Sequence, residues 1–149
     1  MCHATHVTGR GGPVNAEFTV LGTITLPGVG RSARYLRGFA RDMIGADHPR
    51  LGDIGLCLTE KFANATVHTA SGKGGLVTVS VCAARGVVRT EVTDDGAGGA
   101  RPTLFVPPGE PFSEHGRGLL LLGALSDRWG YLEDGLRTTV WAEFAAFGG

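Results

Sequence analysis

Glu60, Asn64 and His68 recur at intervals of four within LTEKFANATVHT, Leu58 to Thr69. At 3.6 residues per turn each such step drifts by roughly 40°. A carboxylate, an amide and an imidazole therefore share one slanting stripe of a helix, and such groups exchange protons, donate hydrogen bonds and ligate ions. An ordinary solvated face has the same pattern. A second cluster is VTDDGAGG, in which Asp94, Gly96 and Gly98 form D-x-G-x-G. Its carboxylate suits an exocyclic amine, and its glycines let the backbone approach a ligand closely; a plain turn also fits. In the third, EHGRGLLLL, Gly116 and Gly118 lead into an apolar helix. A helix N-terminus offers free N–H groups and about half a positive charge, which suits phosphate oxygens. No G-x-x-x-x-G-K-[ST] motif occurs in the chain.

The elements that must position these residues follow from periodicity. Phe18, Val20, Ile24 and Leu26 alternate on one face of a strand. Ser32 to Met43 repeats its apolar residues at helical spacing, with Arg34, Arg37 and Arg41 on the polar side and Gly45 and Pro49 as stops. That arginine row is either a solvated face or a docking surface for an acidic partner. A second helix spans about Leu51 to Thr69, with Leu51, Ile54, Leu58, Phe62 and Ala65 centred roughly 120° from the polar stripe. LVTVSVC and VVRTEVT read as strands that turn at Arg85-Gly86. A long Pro- and Gly-rich loop to His115 precedes a helix over Gly118–Asp127 and a final hairpin that turns at Asp134-Gly135. The order β-α-α-β-β-(loop)-α-β-β implies a two-layer α/β sandwich: one mixed, mostly antiparallel sheet with helices on one face.

Composition narrows the function. The 149 residues fit one domain, here 17–147 after a flexible tail over 1–16, and 42% hydrophobic content is enough for a core. Zero formal net charge argues against binding nucleic acid through a basic face. No apolar run is long enough to span a bilayer, and the N-terminal residues lack the core of a signal peptide. Three cysteines, Cys2, Cys57 and Cys82, without a CxxC motif indicate a reduced, cytoplasmic protein. Cys2, His3 and His6 read as a frayed tail rather than a metal site.

Taken in order, the three clusters resemble the GHKL-type ATP-binding domain of histidine kinases and type II topoisomerases. They are most similar to its stand-alone bacterial branch, the anti-sigma factor serine kinases. Thr59-Glu60, Asn64-Ala65 and His68-Thr69 match the asparagine box, Asp94 to Gly98 the first glycine box, and Glu114 to Leu119 the second. The likeness covers about Phe18 to Phe144, and it implies the Bergerat-type ATP-binding fold.

By this resemblance Asn64 holds the Mg²⁺ that bridges the ATP phosphates, and Glu60 is the general base. His68 and Thr69 lie near the nucleotide. Asp94 accepts the adenine amino proton, while Gly96 and Gly98 wrap the base. Gly116, Arg117, Gly118 and Leu119 face the phosphates, Thr139 contacts adenine, and residues 99–115 form the lid. The implied partners are an anti-sigma-factor antagonist protein and a sigma factor, with no direct contact to nucleic acid or membrane. A homodimer is also implied. The alternative within the branch is a non-catalytic module that binds ATP and sequesters a regulatory partner. Lys61 and Phe62 depart from the small aliphatic pair of many relatives, which bears on catalysis more than on nucleotide binding.

Overall fold

The computed structural model describes residues 6–9, 17–68, 75–94, 122–134 and 137–146. Strand β1 is His6–Gly9 and β2 is Thr19–Pro27. A 3-10 turn over Gly30–Tyr35 runs into helix α1, Leu36–Ile44, and helix α2 is Leu51–His68. Four strands follow: β3 Leu76–Ala84, β4 Val87–Asp94, β5 Arg128–Asp134 and β6 Arg137–Ala145. Among the described residues these strands form one six-stranded sheet in the order β1-β5-β6-β4-β3-β2. Every pairing in it is antiparallel, so the parallel component expected of a mixed sheet is absent from the described strands. α1 and α2 cover one face, giving the expected two-layer sandwich.

Cross-strand register sorts the side chains between the two faces. Ile24, Val79, Val92 and Val140 stand in one row toward the helices. They pack with Leu36 and Ala40 of α1 and with Ile54, Leu58, Phe62 and Ala65 of α2. The other face begins with a row of hydroxyls. Thr25 meets Thr78 at 3.1 Å, Thr23 meets Ser80 at 3.0 Å and Thr93 meets Thr139 at 2.7 Å. Further along that face Arg89, Trp141, Glu143 and Arg128 lie together, almost fully excluded from water, with Glu91 half-buried at their edge.

Two expectations from the sequence change here. β2 does not keep Phe18, Val20, Ile24 and Leu26 on one face. Val20 pairs with Cys82 but Gly22 pairs with Val81, so Leu21 is the extra residue of a β-bulge. One inserted residue exchanges the faces. Ile24 and Leu26 stay in the core, whereas Val20 is 44% exposed and the Phe18 ring sits 5.5 Å from the Arg89 guanidinium on the outer face. Gly22 then comes under Met43 of α1, so closely that a Cβ there would collide with its sulfur. Residues 1–16 are also not wholly a tail, because His6–Gly9 is an edge strand on β5. Four residues are too few for alternation to reveal, and edge pairing needs only backbone groups.

The other element bounds hold closely. Arg85-Gly86 turns β3 into β4, with Gly86 at φ +73°, a conformation that costs glycine nothing. Of the expected helix over Gly118–Asp127, residues 122–125 are helical, and those before them lie outside the described residues. It stops short of Asp127, whose N–H is already paired with the Glu143 carbonyl at 2.9 Å. The last hairpin pairs as far as Asp134 with Arg137; its turn residue Gly135 lies outside the described residues.

Candidate functional site

α2 is the element that carries the polar stripe, and its first turn is firmly anchored. Arg50, just before the helix, donates to Asp53 at 3.1 Å, to Asp127 at 2.9 Å, and to the carbonyls of Leu125 at 2.6 Å and Ala145 at 3.0 Å. A guanidinium fork can serve several acceptors in fixed directions. It thereby ties the start of α2 to the C-terminal hairpin. Asp53 also complements the positive end of the helix.

Ile54, Cys57, Leu58, Phe62 and Ala65 point into the core along α2, while Glu60 and Asn64 are partly exposed one turn apart. This is the arrangement the spacing implied. His68 closes α2, and its side chain lies outside what the structure describes.

Sequence reasoning missed the depth of Lys61. On a helical projection Lys61 falls about 60° from the centre of the stripe and about 60° from the centre of the apolar side. The structure places it inside, 3% exposed. Its Nζ lies 2.6 Å from the hydroxyl of Thr90 and 3.3 Å from the Thr90 carbonyl, in the middle of β4. Burial pushes the ammonium down to about 7; Cys57 and Glu91 oppose that shift and Arg89 adds to it. Burial likewise holds the neighbouring Cys57 thiol at about 11, so that it stays neutral. The departure of Lys61 from the small aliphatic residue of relatives was the signal in the sequence. Its burial was not readable there.

Asp94 ends β4 and is buried at 7% exposure. It shares the helix-side face with Thr90 and Val92. Directly opposite on β6 is Thr138, which is also buried. Facing residues of antiparallel neighbours have Cβ atoms roughly 4.5–5.5 Å apart. Thr139, the expected adenine contact, stands on the other face and bonds Thr93 there. A one-residue difference in register exchanges faces, so it is Thr138, not Thr139, that shares a face with Asp94. The register between β4 and β6, on opposite sides of a long loop, has no signal in the sequence.

The structure thus connects two of the three sequence clusters through the contact of Lys61 with Thr90. Glu60 and Asn64 lie one residue before and three residues after Lys61, and Asp94 lies four residues beyond Thr90. Thr69, Gly96, Gly98, Gly116, Arg117, Gly118, Leu119 and the loop 99–115 lie outside the described residues. Among the described residues no group of three or more His, Cys, Asp and Glu side chains is placed to hold a metal. A surface depression of about 610 Å³, lined by Leu21, Met43, Ile44, His48 and Val88 among others, opens at the start of β4, away from Asp94. No helix among the described residues is long and apolar enough to cross a membrane.

Residues 26–144 match the model of the histidine kinase-like ATPase domain. None of the curated proteins matches the chain. Among solved structures it is similar to the RsbU and RsbW domains of Rv1364c from Mycobacterium tuberculosis, with 24% identity and a TM-score of 0.55. The likeness covers 83% of this chain and 32% of that one. This chain therefore spans about a third of the solved chain's length, and the likeness is one of fold.

Proposed function

Because the chain belongs to the histidine kinase-like ATPase domain family, we propose that it binds Mg-ATP and phosphorylates a serine or threonine of a small anti-sigma-factor antagonist protein. In the alternate state of the switch it holds a sigma factor. One arrangement carries this reading: α2 presents Glu60 and Asn64, partly exposed and one turn apart, beside the strand that ends in the buried Asp94.

The donor set fits the ligand. Asp94 is an acceptor for the adenine amino group, and guanine would present a carbonyl to it. An unmade buried hydrogen bond costs roughly 1–3 kcal/mol, which sets the preference for ATP over GTP. Thr138 faces Asp94 across the strands and adds a hydroxyl to the same pocket wall. The Asn64 amide oxygen is a hard ligand, and magnesium, which keeps several waters, needs few protein ligands. Held by Asn64, the ion would supply positive charge to offset that of the phosphates. Glu60 takes the proton of the partner's hydroxyl as the new oxygen–phosphorus bond forms and ADP leaves. Such transfer depends chiefly on positioning and charge stabilisation.

Gly96, Gly98, Gly116, Arg117, Gly118 and Leu119 complete the base and phosphate contacts, His68 and Thr69 line the site, and residues 99–115 close over it. Arg34, in the 3-10 turn, and Arg37 and Arg41, on α1, are exposed and offer an acidic partner a docking face. A cytoplasmic setting and a homodimer belong to the same proposal. A second reading, an ATP-binding module that sequesters its partner without phosphorylating it, rests on the unusual lysine at 61, directly beside the base Glu60.

The two readings separate on turnover. With labelled ATP and the antagonist protein, Glu60→Ala should lower phosphate transfer by about 10²- to 10⁴-fold, the usual worth of a general base. Its ATP affinity should stay within a few-fold of the wild type. Transfer at the wild-type rate by Glu60→Ala, or none by the wild type, would remove the kinase reading.

A further inference from the structure

A lysine in the middle of a helix–sheet interface is an expensive residue. Lys61 is 3% exposed and its neighbours on α2 are Cys57, Leu58, Phe62 and Ala65. An aliphatic residue would pack there without desolvating a charge. Apolar contact is non-directional, however, and leaves a helix some freedom to slide over a sheet. The Lys61 ammonium instead bonds both the hydroxyl and the carbonyl of a single residue, Thr90, at 2.6 Å and 3.3 Å. Two bonds to one residue fix direction as well as distance.

We propose that Lys61 is a positioning residue of the nucleotide site: through Thr90 it locks α2 against β4, holding the Glu60–Asn64 stripe in register with Asp94. The inference rests on the ATP-binding reading for its function. The connection itself is short. From Asn64 the path runs back one helical turn to Lys61, across to Thr90, and four residues along β4 to Asp94. The groups that would grip the phosphate end of the nucleotide and its base thus sit on two elements joined by one buried polar contact. A small displacement between them is costly for a ligand that must touch both, because misplacement by about 1 Å can cost 10²-fold in a preorganised site.

Three variants test this. Thr90→Val keeps the shape and removes the hydroxyl. Thr90→Ser keeps the hydroxyl and loses only a methyl group. Lys61→Met keeps the length and removes the ammonium. Mg-ATP affinity should fall by about tenfold or more in Thr90→Val and Lys61→Met and stay within about threefold in Thr90→Ser. Lys61→Met should do so while becoming more stable to denaturant, a combination that general damage to the fold does not produce. Equal affinities in Thr90→Val, Thr90→Ser and the wild type would overturn the proposal. Should the wild type bind no ATP, the functional reading fails and the tie is judged on the free protein. Backbone amides of residues 60–64 should then exchange faster in Thr90→Val than in Thr90→Ser, and equal exchange would dismiss the lock as well.

Discussion

Glu143→Ala should cost the fold about 3–5 kcal/mol, measured as the shift in a guanidinium unfolding curve followed by tryptophan fluorescence. Glu143 is 3% exposed on the outer face of the sheet. One carboxylate oxygen accepts from Arg89 at 3.0 Å and the other from Arg128 at 3.3 Å. Arg89 also donates to Glu91 at 2.9 Å, so two guanidinium groups balance two carboxylates. The ring of Trp141 adds cation–π contact, its centroid 4.3 Å from the Arg89 carbon and 5.9 Å from that of Arg128. Among the described residues the cluster is short of acceptors, since Arg89 Nη2, Arg128 Nε and Trp141 Nε1 are buried there without a hydrogen-bond partner. Removing Glu143 strands a buried positive charge and takes from Arg128 its only carboxylate partner among the described residues. The face lies opposite the helices, so nucleotide affinity of the folded molecules should not change. A loss under about 1 kcal/mol would mean that water readily replaces the carboxylate.

Lys61→Met should act in the opposite direction and depend on pH. The folded protein holds the Lys61 ammonium near 7, below the usual 10.5, through burial above all. Below about pH 7 the lysine is charged in both folded and unfolded states, and the full cost of burying the charge weighs on the fold. Between about 7 and 10.5 the folded state has released a proton that the unfolded chain still binds, so wild-type stability rises with pH. Above that range the lysine is neutral in both states and the cost is gone. At 1.36 kcal/mol for each tenfold change in proton affinity, the whole swing is on the order of 5 kcal/mol. Methionine has no proton to release. Lys61→Met should therefore be more stable than the wild type at pH 7, by roughly 1–4 kcal/mol after the lost bonds to Thr90. The gap should close toward pH 10. Unfolding curves of both proteins at pH 6.5, 8 and 9.5 would measure it. A constant gap across that series would show that Lys61 keeps an ordinary affinity for its proton, and hence reaches water.

The same residue shows where sequence stops informing. The stripe of Glu60 and Asn64 and the apolar side of α2 follow from helical spacing, since a 3.6-residue period places side chains independently of their surroundings. Lys61 sits on the border between the two sides, where the period decides nothing and packing against Thr90 does. β2 fails differently. Its alternation reads as one continuous strand because a bulge at Leu21 is a backbone event that side-chain pattern does not record. Thr138 and Thr139 fail for a third reason, since which threonine joins Asp94 depends on pairing between strands separated by more than forty residues of chain. The fold itself was legible because the ordered motifs resemble a family. The match of residues 26–144 and the likeness of fold agree with that.

Binding of Mg-ATP by α2 and the end of β4 is tested most directly by calorimetric titration of the wild type and Asn64→Ala with ATP and GTP. The wild type should bind Mg-ATP saturably and GTP more weakly by about 5- to 150-fold, the worth of the hydrogen bond to Asp94. Asn64→Ala should bind Mg-ATP about 10- to 150-fold more weakly, from loss of a ligand to a charged group. Absence of binding at millimolar ATP, or equal affinity of the wild type and Asn64→Ala, would contradict it.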